Sequence, residues 1–311
     1  MSLKTIFDFK YVDGDTTLQD VRNEERFFGY RESEPLVFNS DYEKLYNDIM
    51  CDPFIMNSTL PSTLFVDRNA IKRGNSLWDE LGITLYDVDI ISKKYNLNKY
   101  TGIITNDFID ALSTDSPLKI PVIFHDKNIY GGAVQLNMED PNDPSNNGVI
   151  FREIIVPKVK GVLSSCCYAH EISHTQELST IGLNSSLLNR ETIPMLIEQI
   201  FASKLDQTGD ALKKIRYWRL WNLAKMLHDF ATVKDIAYVS KAQFDTYIQS
   251  TIQSIKLANE FIFGSENVKK EIINYINKFF AGDIIVDEIL NHFEANLEEV
   301  PKDLKVLRRV K

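Results

Sequence analysis

The chain has 311 residues, of which 44% are hydrophobic and 25% are charged, and its formal net charge is -9. This is the composition of a globular protein that is long enough for a large core and for two lobes. The acidic balance argues against binding to nucleic acid or to an anionic membrane surface. No apolar run approaches the roughly 18 residues that a membrane-spanning helix needs.

The cysteines indicate a reducing compartment. There are three, Cys51, Cys166 and Cys167. Such a small odd number does not make a disulfide framework, and adjacent cysteines rarely bridge. The first fifteen residues contain no signal-peptide core, because acidic residues interrupt them. We therefore expect a cytoplasmic protein, and the many Asn, Ile and Lys residues are typical of a bacterial AT-rich genome.

The first 160 residues have a mixed pattern. Two stretches predict helices, 41–50 and 76–97, the second with a break at Gly82. Three short runs rich in β-branched residues predict strands: 119–125, 129–138 and 149–156. The Pro- and Asn-rich segment 139–148 predicts a loop. We interpret residues 1–110 as an N-terminal mixed α/β lobe or lid.

After Pro157 the pattern becomes helical. Apolar residues recur every three or four positions, which predicts amphipathic helices over 211–231, 241–263, 265–280 and 284–298. Glycines stand where these helices would end, at positions 182, 209, 264 and 282. The predicted fold class is α+β and predominantly helical, with a small mixed or antiparallel sheet in the N-terminal half. Residues 111–311 would form one region with a helical C-terminal half.

The stretch CCYAHEISHTQE, residues 166–177, contains the candidate metal-binding and catalytic residues. Residues i and i+4 of an α-helix lie on one face, so His170 and His174 can aim two imidazoles at one point. Zinc binds neutral imidazole nitrogens at about 2.0–2.1 Å in a tetrahedral arrangement. Glu171 can then reach a water in the open position, take its proton and pass it to a leaving amine. The alternative is that both histidines cap a helix or pack in the core.

A catalytic zinc site needs a third protein ligand. No third histidine follows at the spacing of the metzincins, but the segment 189–205 offers two carboxylates, Glu191 and Glu198. Asn189 can cap a helix and Pro194 fits its first turn, which places Glu198 inside an apolar helix. A carboxylate there needs a cation or a metal. At the helix entrance a dipole contact is enough to explain Glu191, so the pattern favours Glu198 and leaves Glu191 open.

The motif HEISH, followed two dozen residues later by a helical glutamate, resembles the gluzincin metallopeptidases. Its spacing is similar to that of the thimet-type oligopeptidase and angiotensin-converting-enzyme-like branch, over residues 160–205. The resemblance implies a zincin-like, largely helical catalytic domain. It also implies that zinc is held by His170, His174 and Glu198, with Glu171 as general base.

Two positions depart from related patterns. Ser173 stands where the oligopeptidases usually carry glycine, and Ala202 stands where the thermolysin-like group has an aspartate that orients a histidine. Zincins commonly hold an extended substrate along an edge strand. Residues 130–138 are the candidate for that strand, and a hairpin strand with a bulge is the alternative.

Other polar residues carry weaker signals. We expect Cys166 and Cys167 to be packing residues. The basic positions 213, 214, 216 and 219 predict a solvated helix face. A transition-state donor is not singled out among His228, His292, Tyr217, Tyr238, Tyr247 and Tyr275.

The sequence therefore predicts a cytoplasmic zinc-dependent peptidase that acts on peptides or on an unstructured protein segment. No nucleic-acid or membrane partner is expected, and the pattern does not determine the oligomeric state. One alternative is a regulatory or effector protease with a single protein target and its specificity in the first 110 residues. The other is a catalytically inactive, zincin-like interaction protein.

Overall fold

The computed structural model describes residues 68–86, 122–125, 133–138, 149–157, 161–181, 191–219 and 241–296. The helices are α1 (Arg68–Leu81), α2 (Val162–Ile181), α3 (Thr192–Leu205), α4 (210–219), α5 (Lys241–Phe263), α6 (Glu266–Ala281) and α7 (Val286–His292). The strands are β1 (Val122–His125), β2 (Ala133–Met138) and β3 (Val149–Pro157). The predicted predominance of helix is confirmed for this part of the chain. The helix expected over 41–50 and the loop over 139–148 lie outside it.

The three strands form a mixed sheet in the order β1-β3-β2. Strand β1 runs parallel to β3, with Val122 opposite Ile154. Strand β2 runs antiparallel to β3, with a register shift between Gln135 and Leu136 that marks a bulge. Ile154 of the central strand is fully buried. Among the described strands, β2 therefore lies at an edge of the sheet.

Helix α2 follows β3 and lies in the middle of the fold. It packs against α1, α3, α6 and both β2 and β3. Burial consequently extends around the helix, as residues 163–173 and 175–177 are all buried. Two of its buried hydroxyl groups are satisfied inside the helix, as Ser173 donates to the Ala169 carbonyl at 2.7 Å and Thr175 to the Ile172 carbonyl at 2.6 Å.

A glycine allows α1 and α2 to approach closely. A Cβ atom at Gly74 would lie 2.7 Å from the Cβ of Ser165, which is closer than carbon atoms pack. At the same crossing the Ser165 hydroxyl donates a hydrogen bond to the Ala70 carbonyl. Helix α1 then ends at Gly82, where φ is 72°, so the predicted break at this residue is confirmed.

The segment after α1 is held by side-chain amides. Asn277 of α6 accepts from the Thr84 amide and donates to the Gly82 carbonyl, both at 2.8 Å. Gln176 of α2 accepts from the Tyr86 amide at 2.6 Å. These bonds tie the segment after α1 to α6 and to α2.

The C-terminal helices follow the predicted pattern closely. Helix α5 covers the predicted range 241–263, and α6 lies one residue beyond the predicted 265–280. Gly282, with φ of 79°, caps α6 in the left-handed conformation. Helix α7 ends well before the predicted limit of 298. None of the helices in the described ranges is long and apolar enough to cross a membrane.

Candidate metal centre

Two histidines and one glutamate converge where α2 meets the start of α3. The Nε2 atoms of His170 and His174 lie 3.1 Å apart. Glu191 places its Oε2 atom 3.2 Å from Nε2 of His170 and its Oε1 atom 3.5 Å from Nε2 of His174. This His170–His174–Glu191 group is one that can hold a metal ion.

The spacing of the donor atoms fits a metal ion. Around a tetrahedral zinc ion with bonds of 2.0–2.1 Å, neighbouring ligand atoms are about 3.3 Å apart. The distances of 3.1, 3.2 and 3.5 Å in this group lie around that value. Two imidazoles and a carboxylate also form a ligand set that leaves a fourth position open. The residues present therefore fit a divalent ion.

Glu191 can reach the two histidines because it lies at the start of α3. It is the N-cap residue of α3, yet its side chain makes no capping hydrogen bond. The carboxylate turns to the histidines instead. Burial alone would raise the pKa of Glu191, but the charges and hydrogen bonds of His174 and His170 hold it well below its usual range. The two histidines therefore account for the position of this side chain, in addition to the contact with the helix dipole expected at the helix entrance.

The group attracts positive charge. Burial and Arg219 lower the pKa of His170, but hydrogen bonds to Glu191 and Glu198 outweigh them and raise it. Burial likewise lowers the pKa of His174, but Glu191 and Glu177 outweigh it and raise the pKa well above its usual range. A metal cation at this place would compete with protons for the same nitrogens.

Glu171 lies beside the His170–His174–Glu191 group. Only 2% of the residue is exposed, and its Oε1 atom is 3.9 Å from Nε2 of His170. Its Oε2 atom is buried and has no hydrogen-bond partner among the described residues. Burial raises the pKa of Glu171, against the opposing effect of His170 and His174. Such a carboxylate is suited to accept and release a proton.

Glu198, the ligand favoured by the sequence, lies on the other side of His170. Its Oε2 atom is 3.2 Å from Nδ1 of His170, and the residue is completely buried. Arg219 donates to Oε1 at 2.7 Å and to Oε2 at 2.5 Å. The two nitrogens of an imidazole point in different directions, so the structure does not bring Glu198 to the group that contains Glu191.

The basic face predicted for α4 is only partly solvated. Arg216 is 4% exposed, and it donates to Gln199 at 2.7 Å and to Asn259 at 2.9 Å. Arg219 is also largely buried against Glu198. The prediction was wrong for these two arginines because α4 packs onto other helices. A buried carboxylate needs a cation beside it, and applying this rule to Glu198 could have predicted that Arg219 is its partner.

The remaining candidates lie elsewhere or outside the described residues. Cys166 and Cys167 are free and buried, as expected of packing residues, and burial raises the pKa of both thiols. His292 stacks on Tyr275 with ring centres 4.6 Å apart and lies 2.9 Å from Glu271. His228 and Tyr238 fall in ranges that the structure does not describe.

We compared the chain with known proteins. No protein-family model matches the sequence. No curated protein and no solved structure matches it either. Functional conclusions about this chain therefore depend on the chemistry of its own residues, and above all on the His170–His174–Glu191 group with Glu171 beside it.

Proposed function

We propose that the protein is a zinc-dependent peptidase. His170, His174 and Glu191 would hold the ion, and Glu171 would act as general base. The observation that carries this proposal is that two imidazole nitrogens and the two oxygens of one carboxylate lie 3.1 to 3.5 Å apart. Beside them is a buried Glu171 oxygen that has no hydrogen-bond partner among the described residues. Glu191 takes the third-ligand role in this proposal, in place of Glu198.

The reaction follows from the chemistry of these residues. A bound zinc ion would polarise the scissile carbonyl and acidify a water molecule in its open position. Glu171 accepts a proton from the attacking water and then donates it to the leaving amine. Its position 3.9 Å from Nε2 of His170 places the carboxylate within reach of a water molecule bound at the open position.

The proposed substrate is a peptide or an unstructured protein segment. Strand β2 lies at an edge among the described strands and contacts α2, which carries the histidines. An edge strand can pair with an extended main chain, which supports a peptide substrate. We also propose a cytoplasmic location, which the two free cysteines of α2 support.

Zinc content and peptide cleavage test the proposal together. Protein purified without added metal should contain about one zinc ion per chain, measured by plasma mass spectrometry. Glu171→Gln should keep the zinc and lose a factor of about 10² to 10⁴ in turnover of a mixture of unstructured peptides. Glu191→Gln should lose the zinc. Glu260→Gln is the matched control, because Glu260 is exposed on α5.

Each result has a distinct meaning. Wild-type protein without zinc, or a Glu171→Gln variant as active as wild type, would refute the peptidase proposal. Stoichiometric zinc without cleavage of any peptide or protein would instead favour the inactive, zincin-like interaction protein. Cleavage of a single protein, with the peptide mixture untouched, would favour the narrow-specificity protease.

A further inference from the structure

A buried ion pair stands directly behind the candidate metal centre. The Glu198 side chain is 0% exposed and that of Arg219 is 12% exposed. The guanidinium binds the carboxylate in a two-pronged manner, through Nε and Nη2. A carboxylate without such a partner would be costly to bury, so Arg219 allows Glu198 to stay ionised at this place.

The pair meets one nitrogen of His170, and the metal group meets the other. Nδ1 is 3.2 Å from Oε2 of Glu198, whereas Nε2 is 3.2 Å from Oε2 of Glu191. A neutral imidazole carries one proton. When Nδ1–H donates to Glu198, the lone pair is on Nε2 and faces His174 and Glu191. That tautomer is the one that can bind a metal through Nε2.

Arg219 also approaches the ring itself. Its Nη2 atom lies 2.9 Å from Nδ1 of His170. A guanidinium can only donate, so a bond from Arg219 to Nδ1 would move the imidazole proton to Nε2. That second tautomer cannot bind a metal through Nε2. Glu198 and Arg219 therefore favour opposite tautomers of His170. If Glu198 sets the tautomer in the native protein, removing Glu198 should weaken metal binding through Nε2.

We propose that Glu198 and Arg219 form a positioning pair for His170. Glu198 accepts the Nδ1 proton and thereby directs the Nε2 lone pair at the metal, and Arg219 fixes the carboxylate. This inference rests on the proposed function, because it concerns the same metal centre. His174 has a similar but longer contact, with Nδ1 3.8 Å from Oε2 of Glu177. The closer contact at His170 makes Glu198 the more effective of the two carboxylates.

The test is the zinc dissociation constant, measured by competition with a chromophoric chelator. Glu198→Gln should weaken zinc binding about 10- to 100-fold, the usual effect of losing a partner of a metal-bound histidine. Glu260→Gln should leave it unchanged. A single change at a buried pair can unfold a protein, because it leaves one charge uncompensated. The double variant Glu198→Gln/Arg219→Met removes both charges and should fold. Its zinc binding should be weakened more than threefold but less than in Glu198→Gln, because Arg219 no longer donates to Nδ1 of His170.

A second measurement separates positioning from ligation. In the cobalt-substituted protein, Glu198→Gln should keep the intensity of the visible d–d absorption, because the number of ligands is unchanged. Glu191→Gln should change that absorption, because it removes a ligand. Circular dichroism of each variant establishes that it is folded.

Two outcomes would overturn the positioning role while the proposed function stands. Zinc binding within threefold of wild type in both Glu198 variants would make the pair purely structural. Loss of zinc as complete as in Glu191→Gln, with an altered cobalt spectrum, would make Glu198 a ligand. If the wild-type protein binds no zinc, the proposed function itself fails, and the positioning role fails with it.

Discussion

The crossing of α1 and α2 allows a quantitative prediction at Gly74. The change Gly74→Ala would place a Cβ atom 2.7 Å from Cβ and 2.8 Å from Oγ of Ser165. A change of the Ser165 rotamer cannot relieve the contact between the two Cβ atoms. Since carbon atoms pack at about 3.5–4.0 Å, the helices would have to separate by about 1 Å.

Three contributions set the size of the effect. Overpacking a tight contact costs about 1–3 kcal/mol. Weakening the hydrogen bond from Ser165 to the Ala70 carbonyl costs about 1 kcal/mol more. Alanine recovers about 1 kcal/mol over glycine in a helix interior. We therefore expect Gly74→Ala to lower the free energy of unfolding by about 1–3 kcal/mol.

Urea denaturation followed by far-ultraviolet circular dichroism measures this change. The control is the same substitution in a Ser165→Gly background, where no Cβ atom meets the new methyl group. There Gly74→Ala should be neutral or stabilising by about 1 kcal/mol, because only the helix-propensity gain remains. Equal destabilisation in both backgrounds, or none in wild type, would refute the close-contact explanation.

Three further predictions concern the metal and two helix ends. Free zinc at 100 times its dissociation constant should stabilise the protein by about 2.7 kcal/mol, and an unchanged unfolding temperature after chelation would contradict this. Asp206 accepts from the Ala211 amide at 2.8 Å, and bonds to Thr208 and Ala211 hold its pKa below the usual range. Its contribution is therefore present above the unfolded pKa and is lost as pH falls through the folded pKa. Asp206→Ala should cost about 1 kcal/mol at neutral pH, and a difference from wild type that stays constant down to pH 3 would argue against it. Gly282→Ala should cost about 1 kcal/mol because φ is 79° there, and an unchanged urea midpoint would exclude that strain.

Local spacing was sufficient to predict several features. A helix brings residues four apart onto one face, so His170 and His174 converge irrespective of the rest of the chain. The limits of α5 and α6 follow from apolar periodicity and from glycines at their ends. The break at Gly82 has the same origin, because a left-handed residue ends the helix. Each of these features depends on residues that are close in sequence.

The choice between the two glutamates needed the tertiary structure. Glu191 and Glu198 are seven residues apart, about two helical turns, so both can face α2. Which one meets Nε2 of His170 and which meets Nδ1 depends on how far α3 is shifted along α2. Sequence favoured the glutamate in the more apolar surroundings, and the structure shows that an arginine compensates its charge.

The sequence by itself determined that two imidazoles and the adjacent carboxylate of Glu171 share one helical turn. Only the tertiary structure decided that Glu191 completes the group and that Arg219 is buried against Glu198. The physical reason is that helix periodicity is set by bonds between neighbouring residues. Glu191 and Arg219 lie 17 to 49 residues after the histidines, on other helices, and they meet the histidines only when the core packs.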